Sequence, residues 1–426
     1  MRRERGIAEL YQDDPERAQA LVFGRRQLGL AAIGAAIGMA IPFGRHMPKG
    51  YLPVALAQQS GFQFPGKDPG LVVLGDRPLV AETPAHLLDD AVTPTARHFI
   101  RNNGQMPDAV ANPDAWQITI DGEVNTPLKL TLGELKARFP AVSQAMMLEC
   151  GGNGRAQFVP PARGNQWTTG GAGCAKWTGV RLADVLKAAG VKDSARYTAH
   201  FGADPHLSGD AARQSISRGV RLEKAMDPNT LIAFAMNDEP LPAIHGAPVR
   251  LLVPGWSGSA SQKWLTRIWL RDKEHDGSGM TGTSYRLPVV PIVPGSNHDG
   301  KGFRILESMP VRAIITSPAD GARPAAGTRR LAVRGHAWAG DLTVSDVHLS
   351  VDFGQSWVKA ALTAPANPFA WQHFSADIAL PTAGYYEIWA RATDSSGRMQ
   401  PFAAANWNPQ GYGGNAYHRI AVLVEA

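Results

Sequence analysis

Met146-Met147-Leu148-Glu149-Cys150-Gly151-Gly152-Asn153-Gly154-Arg155 delivers a sulfur from an apolar strand to a glycine-rich turn, with an arginine five residues on. A thiolate in that setting is a soft ligand for a redox metal, and a nearby cation favours its ionised form. Cys150 is one of two cysteines; the other is Cys174. With two, no disulfide framework and no C-x-x-C zinc pattern can be written. A Cys150–Cys174 bridge stays open at this point, and it would consume the candidate metal thiolate. Arginines carry charges that persist at any working pH, and their N–H fork suits oxyanions. Arg155 is therefore a candidate to meet an anionic substrate beside the metal.

The chain has 426 residues and a net charge of +6. Residues 1–57 hold eight Lys/Arg and five Asp/Glu, so half of that charge lies in the first segment. The remainder is weakly basic and lacks a long Lys/Arg run, which excludes the electrostatic footprint of a nucleic-acid binder. Arg25-Arg26-Gln27-Leu28 precedes a small apolar run to Phe43, and Ala55-Leu56-Ala57 offers small residues for cleavage. These features predict a twin-arginine export signal over residues 1–57 and a periplasmic location. The apolar run falls short of the ~20 residues of a spanning helix, so membrane attachment is expected only if the leader stays uncleaved.

The elements that must position the sulfur follow from periodicity. Residues 58–110 are rich in Pro and Gly and predict an extended arm wrapping the next domain. A strand after Trp116 ends at Asp121-Gly122, and Thr131-Leu132-Gly133-Glu134 forms a capping box for a short helix that Pro140 ends. Leu182, Val185, Leu186 and Ala189 share one helix face. Residues 111–308 thus read as an irregular α+β domain whose last part, 273–308, is a polar connection. Beyond it, Val347, Leu349, Val351 and Phe353 alternate, as do Tyr386, Ile388, Ala390 and Ala392, and Ile420, Val422 and Val424 close the chain. Residues 309–426 therefore predict an all-β immunoglobulin-like sandwich. Trp177 is expected in a core, and His206, His298 and Asp299 in solvated loops, because their spacing fits no zinc pattern.

The Cys150 segment, followed by Trp167 and Trp177, resembles the molybdopterin domain of the sulfite oxidase family. The likeness continues through Ala225-Met226-Asp227-Pro228, Ala235-Met236-Asn237, His245-Gly246-Ala247-Pro248-Val249-Arg250 and Lys263-Trp264. It spans residues 95–424, with the sandwich in the family's dimerisation position. It implies a molybdenum–molybdopterin cofactor whose metal takes Cys150 as its protein ligand, with Arg101 and Arg155 beside it to hold an anionic substrate. It also implies that Asn102, Asn103, Asp204, His245, Arg250, Ser261, Gln262 and Lys263 hold the pterin and its phosphate. Arg250 and Lys263 are the residue types a phosphate wants. Neither a cytochrome b5-like domain nor a C-x-x-C-H haem site appears, so an external acceptor, a periplasmic c-type cytochrome, is expected.

Two departures from animal and plant relatives bear on the substrate. The resemblance puts His336 where those carry a tyrosine, and Gln410 where they carry an arginine; both would face the substrate. Asn103 stands where a histidine is usual. A pocket that trades an arginine for a histidine would carry a pH-dependent charge. The expected reaction is oxidation of an inorganic sulfur compound, sulfite to sulfate. The alternatives are the molybdenum subunit of a sulfane dehydrogenase in a thiosulfate-oxidising system, a sulfoxide reductase, and a cofactor-free binding module. A homodimer through the sandwich and a heterodimer with a cytochrome subunit both stand.

Overall fold

The structure is a computed structural model and describes residues 64–426. The leader expected over residues 1–57 lies outside the described residues. Among the described residues no helix is long and apolar enough to cross a membrane.

Residues 64–110 form more than an arm. β1 (Val72–Asp76), β2 (Leu79–Glu82) and β3 (Ile100–Arg101) make a three-stranded sheet, and β3 carries Arg101 into the next domain. β4 (Gln117–Gly122) and β5 (Leu128–Thr131) follow as an antiparallel pair. The capping box forms as expected: Thr131 and Glu134 bond each other's backbone at the start of α1 (Leu132–Arg138).

β6 (Ala141–Glu149) pairs over its whole length with β7 (Ala172–Arg181), so the loop from 150 to 171 leaves and returns at one point. α2 (Leu182–Ala189) buries Leu182, Val185, Leu186 and Ala189, the face that the spacing predicts. The domain is completed by β8 (Tyr197–Gly202), β9 (Gly219–Arg221), α3 (Leu222–Ala225), β10 (Leu231–Met236), β11 (Glu239–Pro240), β12 (Arg250–Leu252) and β13 (Leu265–Arg271). Two five-stranded sheets result: β11-β10-β7-β6 with β12 on β10, and β5-β4-β13-β8-β9. Ile118, Ile120, Val185, Ile232, Leu251 and Ile268 fill one shared core at 0% exposure. Each such side chain contributes about 1.5–3 kcal/mol of burial.

The polar connection contains a hairpin of β14 (Arg286–Pro288) and β15 (Phe303–Ile305). The sandwich follows. One sheet is β16 (Arg312–Ser317), β17 (Arg330–Trp338), β21 (Gln372–Ala379) and β20 (Ala361–Leu362). The other is β19 (Val358–Lys359), β18 (Val344–Ser350), β22 (Gly384–Asp394) and β23 (His418–Val424). Val347, Leu349, Ile388, Ala390, Ala392, Ile420, Val422 and Val424 point into the core between them. The expected alternation stops early: β18 ends at Ser350, and Phe353 sits exposed in a turn at φ 58°.

Candidate functional site

Cys150 is the first residue after β6. Its N–H donates to Gly171 O at 2.8 Å and its carbonyl accepts from Asn153 N–H at 2.9 Å, so a closed turn fixes the backbone under the sulfur. Glycine is required here for space. A Cβ on Gly152 would collide with the Arg155 guanidinium, and Gly154 adopts φ 82° against the Gly414 carbonyl. Both cysteines are free thiols. Cys174 lies opposite Met147 in the β6–β7 register, away from the turn, and burial pushes its thiol up to about 12. The open disulfide question is thereby closed: Cys150 keeps its thiol.

A cleft of about 650 Å³ joins Cys150 to residues distant in sequence. Arg101, Asn102 and Asn103 come from β3 and its exit, Asp204 from the end of β8, and His245 and Arg250 from the approach to β12. Ser261, Gln262 and Lys263 come from the loop before β13. A parallel bridge between Glu149 and Ser257 lays that loop beside the Cys150 turn. All the residues expected to hold a cofactor therefore share one cavity with the sulfur.

Its electrostatics are one-sided. Arg250 is 3% exposed, yet its guanidinium meets only the carbonyls of His245 (2.9 Å) and Ser261 (3.0 Å) and the Trp177 face at 5.2 Å. Lys263 Nζ donates to Asn102 Oδ1 at 2.6 Å and Ile244 O at 2.7 Å. Lys67, from the arm, donates to Thr95 O and His98 O, both at 2.6 Å, and to His245 Nε2 at 2.9 Å. None of these three forms an ion pair within the described residues. Burial lowers Arg250 to about 9 and Lys67 to about 7, and burial together with the Arg250 and Arg101 charges holds Lys263 well below the usual lysine range against a smaller opposing pull from the Asp204 carboxylate. Buried cations without counter-ions mark a cradle for an anion.

The remaining polar groups present an edge for a heterocycle. While Lys67 is an ammonium it has only donors, and His245 then accepts through Nε2 with its proton on Nδ1. Burial keeps both His245 and His98 far below the usual histidine range, hence neutral. Arg101 Nη1, Arg250 Nε, Gln262 Oε1 and His98 Nε2 are buried without a hydrogen-bond partner. Donors and acceptors left open in this way fit a phosphate joined to a pterin. Burial raises Asp204 to about 6, so at neutral pH it remains an acceptor for the pterin's amino edge. Asp204→Asn should weaken cofactor retention roughly tenfold to a hundredfold, the worth of a hydrogen bond to a charged group. Molybdenum per protein after gel filtration checks it, and full retention would take Asp204 out of the cofactor's reach.

The four residues expected around the substrate do not all reach the cleft. Arg101 lines it. Arg155 is 7% exposed and is not among the residues lining it; its Nε donates to Gln410 O and its Nη1 to Asn165 O at 2.8 Å. Gln410 donates to Thr283 Oγ1 at 3.2 Å and likewise does not line it. His336 does not belong to the pocket. It is 2% exposed on β17, donates from Nε2 to Leu88 O at 2.7 Å and stacks on Trp371 at 3.8 Å. Burial lowers it to about 3, so it supplies no pH-dependent charge, and that expectation is corrected. The alternation of β17 turns this side chain toward the arm, a packing fact that linear order does not reveal.

Several residues of the site went unread in the sequence. His98 and Tyr285 line the cleft, and Lys67 braces His245 from behind. Tyr285 stacks on Tyr412 at 4.9 Å, with Arg218 over Tyr285 at 4.6 Å and Arg155 over Tyr412 at 5.5 Å. Tyr285 lies in what reads as a polar connection, and no periodicity marks it. Lys67 stands alone among Pro and Gly. Nothing in its Pro65-Gly66-Lys67-Asp68-Pro69-Gly70 stretch marks it as a site residue. Trp167 and Trp177 are fully buried.

Among the described residues no three His, Cys, Asp or Glu side chains come together to hold a metal. A metal at Cys150 therefore draws its other donors from a bound cofactor, and the cradle is of the kind molybdopterin needs.

The chain is similar to known proteins. Residues 103–278 match the oxidoreductase molybdopterin binding domain, and residues 304–425 the Mo-co oxidoreductase dimerisation domain. Sulfite oxidase of Gallus gallus is 33% identical over 367 residues, 83% of this chain and 78% of that protein. Mitochondrial sulfite oxidase of Drosophila melanogaster is 35% identical over 82% of this chain, which spans 62% of that protein's length. Nitrate reductase [NADH] 1 of Oryza sativa is 30% identical over 84% of this chain and 41% of its own. Among solved structures, the sulfane dehydrogenase SoxCD from Paracoccus pantotrophus superposes with a TM-score of 0.68 at 26% identity, covering 92% of this chain and 98% of that one. The chain belongs to the sulfite oxidase family of molybdopterin-dependent oxidoreductases.

Proposed function

We propose that the protein oxidises an inorganic sulfur compound, sulfite to sulfate in the leading case, and passes the electrons to an external c-type cytochrome. The observation that carries this reading is the presence of Cys150 and Arg101 in one cleft with Arg250 and Lys263, neither of which forms an ion pair within the described residues. When bound, the molybdenum cofactor supplies two-electron oxidation with oxygen transfer. Cys150 donates the protein's thiolate. Arg250, Lys263 and the Lys67–His245 pair hold and orient the cofactor. Arg101 holds the anionic substrate and offsets the charge that develops on it, and Tyr285 offers a hydroxyl on the same wall. Arg155 adds positive field from behind Tyr412 rather than a direct contact.

Sulfane oxidation is the second reading, with a cytochrome-bearing subunit as partner. It is favoured by the withdrawal of Arg155 and Gln410 from the cleft, which leaves one arginine beside the substrate position. It is favoured also by the match to SoxCD along nearly the whole chain. The plant nitrate reductases among the relatives show that sequence likeness alone does not fix the substrate. We place the enzyme in the periplasm, exported folded by the twin-arginine route. The sandwich would join it to a second copy or to the cytochrome subunit.

Steady-state assays with sulfite and with a protein persulfide, using cytochrome c as acceptor, test both readings. Turnover of sulfite alone supports the first, turnover of the persulfide alone the second, and turnover of neither removes both. Arg101→Gln should raise KM for an anionic substrate by about ten- to a hundredfold, the worth of one charge-assisted pair. Arg155→Gln should raise it less, because its Nε and Nη1 already face carbonyls. The reverse order would show that Arg155, not Arg101, meets the substrate.

A further inference from the structure

The residue before Cys150 is a buried carboxylate. Glu149 is 3% exposed, and its oxygens accept three hydrogen bonds: Oε1 from Arg312 Nε at 2.7 Å and Asn153 Nδ2 at 3.0 Å, and Oε2 from Trp338 Nε1 at 2.7 Å. Two of these donors belong to the sandwich. Arg312 opens β16, Trp338 closes β17, and the two are register partners across that sheet. Arg312, at 1% exposure, also donates from Nη2 to Asn153 O at 3.1 Å and to Gly414 O. Gly413 N–H adds a bond to Gly151 O at 3.0 Å.

From its other side the same turn is tied to the catalytic sheet. Asn153 Oδ1 accepts from Gly171 N–H at 3.1 Å, and Cys150 N–H donates to Gly171 O. Residues 149–154 are thus clamped between β7 and the C-terminal domain. Among the described residues this is the ion pair with both partners below 4% exposure. A buried ion pair is a poor source of stability, since apolar residues of equal volume would fill the seam at less cost. What a guanidinium and a carboxylate add is direction, because their donors and acceptors engage in few orientations.

We infer that Glu149, Arg312 and Trp338 form a positioning device through which the C-terminal sandwich sets the orientation of the Cys150 turn, and with it the thiolate. The inference rests on Cys150 being the metal ligand. The sandwich then serves the metal site directly as well as any assembly role, through Arg312 and Trp338 on Glu149, Arg312 on Asn153 O and the Gly413 N–H on Gly151 O. None of the three touches the cleft except through the turn.

The test compares three full-length variants. Trp338→Phe removes one N–H and keeps the ring's bulk. Glu149→Gln with Arg312→Gln removes both charges and leaves neither one unpaired. Asp341→Asn is the control, because Asp341 crosses the same seam to Lys224 (2.6 Å) and Trp256 (2.9 Å) without touching the turn. In cofactor-free protein, amide exchange over residues 150–157 should speed up by about tenfold in the first two variants, with exchange in β13 unchanged. In loaded protein the same two should shift the g-values of the Mo(V) resonance and lower bound molybdenum. Asp341→Asn should do neither.

Exchange over 150–157 that matches wild type, rises only in step with β13, or rises equally in Asp341→Asn overturns the inference. So does an unchanged resonance in the two variants. A wild-type protein without molybdenum would count against the proposed function instead, and the exchange comparison would still decide whether the device exists.

Discussion

Replacing Cys150 by serine is expected to abolish turnover, a loss of at least about a thousandfold or some 4 kcal/mol of barrier. The fold should survive. The turn is held by backbone bonds from Cys150 to Gly171 and Asn153, and these do not involve the sulfur. A serine hydroxyl fits the space but does not ionise at working pH, and it is a hard donor where a soft one is needed. Melting temperature within a few degrees of wild type, combined with lost activity and altered X-ray absorption at the molybdenum edge, is the expected pattern. Retained turnover would remove Cys150 from the metal. Cys174→Ser is the matched comparison. It changes a fully buried thiol in β7 and should cost stability without touching turnover.

The second large effect concerns the cations. In cofactor-free protein the stability should rise as pH climbs from about 7 toward 10. Burial holds Lys67 near 7 and Lys263 well below its usual range, while in the unfolded chain both keep their protons to about 10.4. Across that window the unfolded state binds more protons, so the slope of stability against pH is positive. For Lys67 alone the drop from 10.5 to about 7 is worth a few kcal/mol at ~1.36 kcal/mol per unit. A bound phosphate supplies the missing counter-charge, restores the lysines' affinity for protons and flattens the slope. Lys263→Met should also flatten it and should weaken cofactor retention by about a hundredfold, the scale of one or two charge-assisted bonds. Unfolding midpoints of loaded and cofactor-free protein at a series of pH values check both claims. An equal slope in the two forms would mean that no anion seats on these cations.

The two effects also separate roles that a loss of activity alone would merge. Serine at 150 should leave the pterin cradle able to hold its ligand. Methionine at 263 should leave the thiol turn intact but the cradle weakened. Arg312 and Glu149 add a third lever, which moves the turn without entering the cleft.

Much of this could be read in the linear sequence, because it depends on local pattern. The capping box at Thr131, the buried face of α2, the turn after Cys150 and the alternation of β22 and β23 are each written within a dozen residues, and each forms as read. Cys150, Arg250 and Lys263, which the resemblance singles out by their ordered motifs, fall on one cleft. Tertiary structure decided what depends on which surfaces meet. His336 looks like a substrate-facing switch in sequence, but β17 turns it against Leu88 and Trp371. Arg155 stands five residues from the sulfur, yet the carbonyls of Gln410 and Asn165 hold its guanidinium behind a tyrosine. Lys67 and Tyr285 reach the site from an arm and a connection that carry no periodic signal. The bond from Glu149 to Arg312 spans 163 positions. Short-range preferences are properties of neighbouring residues and survive in a string. A pocket is a property of distant segments brought together by burial, and only the packed chain determines which side chains face it.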